Sequence, residues 1–181
     1  MTDLGHIPLT TITGATTTLA AFHGSVLLVV NVASKCGLTP QYEALERVHG
    51  NYHDQGFAVL GFPANNFREQ EPGTDAEIAE FCRVTYAVTF PLFSKISVVG
   101  EDQHPLYGAL TAAIPHAQGD TERRRERLRS RDIPVNDDPD ILWNFEKFLV
   151  GRNGEVVARF APDTPPDDPL ILAAIEAELA R

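Results

Sequence analysis

The residue best placed to do chemistry is Cys36. It closes the stretch Val26-Leu27-Leu28-Val29-Val30-Asn31-Val32-Ala33-Ser34-Lys35-Cys36-Gly37, an apolar run that gives way to small and polar residues. Thr39-Pro40 comes next, an N-cap residue followed by proline at the first helical position. A thiol at such a strand-to-helix turn meets the N–H groups of a helix start and has Lys35 beside it. Both favour the thiolate, which is the nucleophilic form. The other use of a cysteine here is as a small core side chain, but a lysine just past a strand end is an odd way to build core.

The elements that must position this thiol are readable around it. The unbroken, Val-rich run 26–33 predicts a strand covered on both faces. Beyond Pro40, Tyr42, Leu45, Val48 and Tyr52 share one helical face, and Gly56 marks the helix end. Residues 57–62 predict a second buried strand. Strand, helix, strand in that order implies a right-handed parallel crossover. The second strand runs into Pro63-Ala64-Asn65-Asn66-Phe67-Arg68-Glu69-Gln70-Glu71-Pro72-Gly73. In open α/β sheets ligands sit beyond the carboxyl ends of parallel strands, so this loop and Cys36 leave the sheet at the same edge. A loop rich in amides can donate hydrogen bonds to a thiolate there; it also reads as an ordinary solvated connection.

The second cysteine, Cys82, falls on a helix opened by a capping box of Thr74 and Glu77. Ile78, Phe81, Cys82 and Thr85 form one stripe, which puts Cys82 on the inner face. Upstream, 7–11 and 17–22 flank Gly14 and predict a short hairpin. Downstream, Phe90–Phe93 and Ile96–Val99 read as short extended pieces and 104–114 as a helix. Residues 115–140 are broken by Pro115, Gly119, Pro134 and Pro139. Between Glu122 and Arg131 lie six arginines and two glutamates, a local charge of +4 that leaves −14 on the rest of the chain. This run reads as a solvated loop or short exposed helix, or as a patch for an anion or a partner. Trp143-Asn144 then precede an antiparallel strand pair, 145–150 and 155–160, joined at Asn153-Gly154. A helix capped at Asp168-Pro169 turns Ile171, Ala174, Ile175 and Leu179 inward. The order predicts a thioredoxin-like α/β fold: a central mixed sheet flanked by helices, with an N-terminal β-hairpin and an insertion, forming one domain over 1–181.

Composition narrows the function. The net charge is −10 and 43% of residues are hydrophobic, which argues against general nucleic-acid binding. No apolar run approaches the ~20 residues of a membrane span. Met1-Thr2-Asp3-Leu4 shows no basic or apolar leader, so the expected compartment is the cytoplasm. The two cysteines have 45 residues between them, neither a CxxC pair nor a zinc spacing. Unpaired thiols in a reducing compartment suggest catalytic or redox roles, or plain core. No motif asks for a cofactor or a metal.

Three motifs in order carry a resemblance: Asn31-Val-Ala-Ser-Lys-Cys36-Gly37-Leu-Thr, Gly61-Phe-Pro-Ala-Asn-Asn-Phe-Arg-Glu-Gln70-Glu-Pro-Gly, and Trp143-Asn144-Phe-Glu-Lys-Phe-Leu-Val. Over almost the whole length the chain resembles the glutathione peroxidase family, most closely its bacterial cysteine-containing members. The resemblance implies an active-site set of Cys36, Gln70, Trp143 and Asn144. It makes Cys82 the resolving cysteine, forming a Cys36–Cys82 disulfide. The implied activity is thiol-dependent reduction of hydrogen peroxide and organic hydroperoxides, in defence against oxidative stress. Thioredoxin is the expected reductant, with glutathione second. Thiolate attack on a peroxide O–O bond leaves a sulfenic acid, and the neutral donors of Gln70, Trp143 and Asn144 suit a developing oxyanion.

The chain departs from the family at two places. Ala64 stands where many members have cysteine, which leaves Cys82 as the one internal thiol able to resolve Cys36. Arg68 stands where glycine is frequent. Two other functions fit a thioredoxin-like chain: a redox sensor or relay that passes oxidation from Cys36 to a partner protein, and a non-enzymatic binding module. The complete Cys–Gln–Trp–Asn set argues against the module, because a scaffold needs none of the four.

Overall fold

The computed structural model describes residues 3–181; Met1 and Thr2, where the expectation about a leader begins, lie outside them. Its centre is a four-stranded mixed sheet in the spatial order 57–63, 26–32, 147–150, 156–160. Strand β3 (Val26–Val32) and β4 (Phe57–Pro63) are buried along their whole length and pair in parallel. This is the environment that their continuous apolar sequences require. Helix α1 (Gln41–Tyr52) connects them and packs on β4, burying Tyr42, Leu45 and Val48. Strand β5 (Lys147–Val150) runs antiparallel to β3, and β6 (Val156–Phe160) antiparallel to β5. Gly154, at φ +83°, makes the tight return between them. The C-terminal helix Pro169–Leu179 starts at Asp168, which caps Leu170 N–H, and packs on β3.

Several expected elements differ in detail. The N-terminal hairpin is only β1 (Leu9–Thr10) against β2 (Thr16–Thr17). Residues Leu19–Phe22 form a 3-10 helix, because the Thr18 hydroxyl accepts from Ala20 N–H and turns the chain. Helix α1 starts one turn position later than Pro40 suggests, since the Thr39 side chain is used inside the preceding loop. The extended pieces after residue 90 contribute isolated bridges, Leu92 beside Gly61 and Phe93 beside Thr11. A Cβ on Gly61 would sit 2.7 Å from the Leu92 side chain, so glycine is what lets that segment approach β4.

The largest difference is in 115–140. Of the two forms expected, a solvated loop or a short exposed helix, the arginine-rich run takes the helix, Thr121–Arg129, but not an exposed one: Arg124, Arg125 and Leu128 are buried. In chain order it is α4, after α2 (Asp75–Tyr86) and α3 (Pro105–Ala113). Asp120 caps it by accepting from Arg123 N–H at 3.0 Å. The insertion is fastened at both ends by one side chain. Arg159 of β6 donates to the carbonyls of Ile114 and Pro115 at one end and of Pro139 and Asp140 at the other, all at 2.8–3.1 Å. Its Nε–H donates to Glu146, and both residues of this ion pair are 1% exposed. The guanidinium also lies 5.1 Å from the centre of the Phe148 ring.

A buried charge left without its partner is strongly destabilising, whereas removing both partners costs much less. Arg159→Met is therefore expected to lower stability by about 3–5 kcal/mol in urea unfolding. Adding Glu146→Leu to that variant should recover part of the loss. Equal stability of wild type and Arg159→Met would contradict the anchoring role.

Candidate active site

Cys36 sits in the loop between β3 and α1 and is 8% exposed. Thr39 shapes the loop: its hydroxyl donates to Ala33 C=O at 2.8 Å and accepts from Cys36 N–H at 2.9 Å. The same turn brings Leu38 N–H to 3.3 Å from the Cys36 sulfur. The expected backbone amide at the thiol is present, although it belongs to the turn and not to the first turn of α1.

The loop after β4 joins this one through Lys35 N–H, which donates to Gln70 C=O at 3.0 Å. Its amides divide by role. Asn65 Oδ1 accepts from Glu71 N–H and Asn66 Oδ1 from Val98 N–H, both at 2.9 Å. These two shape the loop, so the general expectation of an amide-rich loop aimed at the thiol is corrected to a single residue, Gln70. Arg68 and Glu69 have φ of +58° and +52°. That left-handed conformation explains why the family often places glycine at the position of Arg68, and it costs a non-glycine residue about 1–2 kcal/mol.

Trp143 and Asn144 arrive on an arch between Leu142 and Glu146. Glu146 accepts from Leu142 N–H at 2.8 Å and closes the arch from within. Phe145, at φ +66°, makes the sharp bend. Asn31 of β3 holds the arch from below, its side-chain amide donating to Trp143 C=O at 3.1 Å and its own carbonyl accepting from Phe145 N–H at 2.7 Å. Trp143 packs its ring against Phe67, with centroids 5.2 Å apart. Asn144 is fully buried and donates to Gln70 Oε1 at 2.9 Å.

Cys36, Gln70 and Trp143 line one pocket of about 450 Å³. Asn144 reaches it through Gln70. With the Gln70 oxygen occupied by Asn144, its NH₂ group is left as a donor. Among the described residues, neither that group nor the Trp143 indole N–H has a protein acceptor. Neither donates directly to the sulfur; the bond recorded there is from Leu38. The arrangement offers a nucleophile, one backbone donor and two unspent neutral donors in one cavity.

Cys82 is placed differently. It is buried on α2, is not disulfide-bonded, and does not line this pocket. Burial pushes its thiol up to about 11; the nearby Tyr42 hydroxyl opposes this and the Glu71 carboxylate adds to it. The stripe expected around it is narrower than the spacing suggests. Ile78 is buried with Cys82, Phe81 is half-buried, and Thr85 is exposed. The helix ends at Ala87 in the left-handed region, φ +51°.

The Arg123–Arg131 run, expected as a solvated segment or as a patch for an anion or a partner, reaches the pocket. Arg124, Arg127 and Arg131 line the Cys36 pocket from the insertion, with Leu128 and Ile133 between them, and Arg68 lines it from the β4 loop. The available signal was the helical spacing Arg124–Leu128–Arg131 behind the capping residue Asp120.

Comparison with known proteins agrees with this geometry. The family model described as glutathione peroxidase matches residues 6–111. The chain is 56% identical over 172 residues to "Thioredoxin/glutathione peroxidase BtuE" of Escherichia coli (strain K12), covering 94% of this chain and 93% of that protein. It is 46% identical over 164 residues to "Hydroperoxy fatty acid reductase gpx1" of Synechocystis sp., covering 90% and 88%. The solved structure titled "Crystal structure of Trgpx in apo form" superposes with a TM-score of 0.72 at 33% identity, covering 100% of this chain and 98% of that one.

The Asn144–Gln70 bond generates a prediction. Gln70→Ala should slow single-turnover oxidation of Cys36 by hydrogen peroxide by about 10²-fold, the usual loss for one oxyanion donor. Asn144→Ala should slow it less. Because Asn144 acts through Gln70, the double variant should be no slower than Gln70→Ala alone. Additive losses in stopped-flow measurements would mean that Asn144 contacts the reacting atoms itself.

Proposed function

We propose, for a chain that belongs to the glutathione peroxidase family and is a thiol-dependent peroxidase, a catalytic cycle that runs through Cys36 and Cys82 and is closed by thioredoxin. The observation that carries it is the shared pocket of the Cys36 sulfur, the Gln70 amide and the Trp143 indole.

In the first step the Cys36 thiolate attacks the terminal peroxide oxygen. The S–O bond forms, the O–O bond breaks, Cys36 becomes a sulfenic acid, and the alkoxide or hydroxide leaves to be protonated. Leu38 N–H steadies the thiolate. The Gln70 NH₂ and the Trp143 N–H stabilise charge on the leaving oxygen, and Asn144 keeps Gln70 in the orientation that presents its donor. Neutral donors suit this task, since a fixed cation paired with the sulfur would blunt its nucleophilicity.

In the second step the Cys82 thiol gives up its proton, the thiolate attacks the sulfenic sulfur, and hydroxide leaves and takes up a proton as water, giving the Cys36–Cys82 disulfide. A buried thiol pushed up to about 11 is a poor nucleophile where it stands, so the end of α2 must open first. That opening is affordable: of the residues on α2 only Ile78 and Cys82 are buried, and exposing Ile78 costs about 1.5–3 kcal/mol. The strained cap at Ala87 makes the C-terminal end, nearest Cys82, the place to start. A dithiol such as thioredoxin then reduces the disulfide by exchange. An internal resolving thiol favours a dithiol such as thioredoxin over glutathione; the name of the Escherichia coli relative carries both reductants. Cytoplasmic work suits a chain whose two cysteines are unbridged.

Cys36→Ser should abolish peroxide consumption. Cys82→Ser should keep the first turnover, stall with thioredoxin, and accumulate sulfenic or over-oxidised Cys36 by mass spectrometry. Full thioredoxin-dependent cycling in Cys82→Ser would make Cys82 a core residue only. The pH dependence separates the routes. If α2 opens first, the rate of disulfide formation should level off near about 8.5, the ordinary cysteine value. Attack from the buried position would instead keep climbing towards about 11.

A further inference from the structure

The chemistry at Cys36 leaves the arginines of the pocket wall without a role. Of the six between Glu122 and Arg131, three are neutralised: Arg124 by Asp163, Arg125 by Asp138 and Arg129 by Glu122. Arg127 and Arg131 have no carboxylate within ion-pair distance among the described residues, and neither has Arg68. These three unpaired cations, from two separate segments, line the same pocket as the reactive sulfur. Gathering them opposes their mutual repulsion. Arg68 also holds a left-handed backbone that glycine would adopt without strain. The wall is a basic exception on a chain of net charge −10, and it would draw anions to one place on a surface that otherwise repels them.

Beside these cations, the paired Arg124, Cys36, Gly37 and Gln70, the lining has an apolar part: Leu38, Leu128, Ile133 and the Trp143 ring. A cavity with an apolar strip, unpaired cations and a nucleophile between them fits an amphipathic anion better than a convex protein surface. Its volume, about 450 Å³, is that of a small-molecule site. The planar guanidinium fork matches a carboxylate. We propose that Arg68, Arg127 and Arg131 form a subsite for the carboxylate of an organic hydroperoxide whose apolar chain lies on Leu128 and Ile133, so that the enzyme selects carboxylate-bearing hydroperoxides over neutral ones. The inference rests on Cys36 being the peroxidatic residue.

The test compares a long-chain fatty-acid hydroperoxide with its own methyl ester, as second-order rate constants for Cys36 oxidation in a single turnover. In the wild type the free acid should react about tenfold faster at low ionic strength, the factor worth 1.4 kcal/mol. Added salt should shrink the preference. In Arg127→Gln/Arg131→Gln, and separately in Arg68→Gln, the acid-to-ester ratio should fall towards one. All three side chains are exposed, so the fold should tolerate these changes. A wild-type ratio of one, or a ratio unchanged by the substitutions, overturns the subsite. So does a variant that keeps its ratio but loses rate only in the later step with thioredoxin or glutathione, which would assign the arginines to the reductant. If neither hydroperoxide oxidises Cys36 in the wild type, the failure lies with the peroxidase reading.

Discussion

The contact on which most else depends is the buried ion pair of Glu146 and Arg159. Taking two charges out of water is costly unless nearly every donor and acceptor is matched. Here the matching itself builds the site. Glu146 spends one oxygen on Leu142 N–H, which bends the arch that carries Trp143 and Asn144. Arg159 spends its remaining donors on carbonyls at both ends of the insertion. One pair thus ties two of the four expected active-site residues and the arginine-lined wall to the same strands, β5 and β6. The adjacent Lys147 does related work, donating to Pro162 and Thr164 carbonyls at 3.0 and 2.6 Å. Those carbonyls flank Asp163, the partner of Arg124 on α4.

A second constraint is backbone strain concentrated at the pocket. Arg68, Glu69 and Phe145 are non-glycine residues in the left-handed region, each at a cost of about 1–2 kcal/mol. Such strain persists only where the surroundings over-determine it. Asn65 grips the loop of Arg68 and Glu69 through Glu71 N–H, and Asn31 grips Phe145 through its carbonyl. The amides that the sequence advertises in the β4 loop are therefore mostly framework. That leaves Gln70, held by Asn144 and by Lys35 N–H, as the one amide of the loop turned to the sulfur's pocket.

What was legible in the sequence followed the strength of the local pattern. The Val-rich runs of β3 and β4, the capping box at Thr74 and Glu77, and the Asn153-Gly154 return all carry their own physical signature, and each forms where expected. Helix α4 was obscured because its stability is tertiary. Arginines at buried positions look like a solvated face until Asp163, Asp138 and the Asn136 carbonyl, remote in sequence or placed by the chain turning back, are known to receive them. Thr39 was misread for a similar reason: a hydroxyl before proline signals a cap, but Ala33 and Cys36 offered it two partners at once. Motif resemblance named Gln70, Trp143 and Asn144 together, but it carries no sign that Asn144 donates to Gln70, a bond between residues 74 positions apart.

The two cysteines divide the molecule around Cys36 into an open side and a closed one. The open side is the pocket, where arginines and apolar residues can receive a substrate. The closed side is the Tyr42–Glu71–Cys82 cluster, which lines no part of that pocket and where burial keeps the second thiol protonated. Tyr42 belongs to both neighbourhoods, since it lies on the first turn of the helix that follows Cys36 and stacks on Tyr86 at the end of α2, with centroids 5.4 Å apart. That stacking ties the C-terminal end of α2 to the helix that follows Cys36. The separation has a chemical use. Burial outside the pocket keeps Cys82 protonated and away from whatever enters there, so Cys36 is the thiol exposed to oxidation.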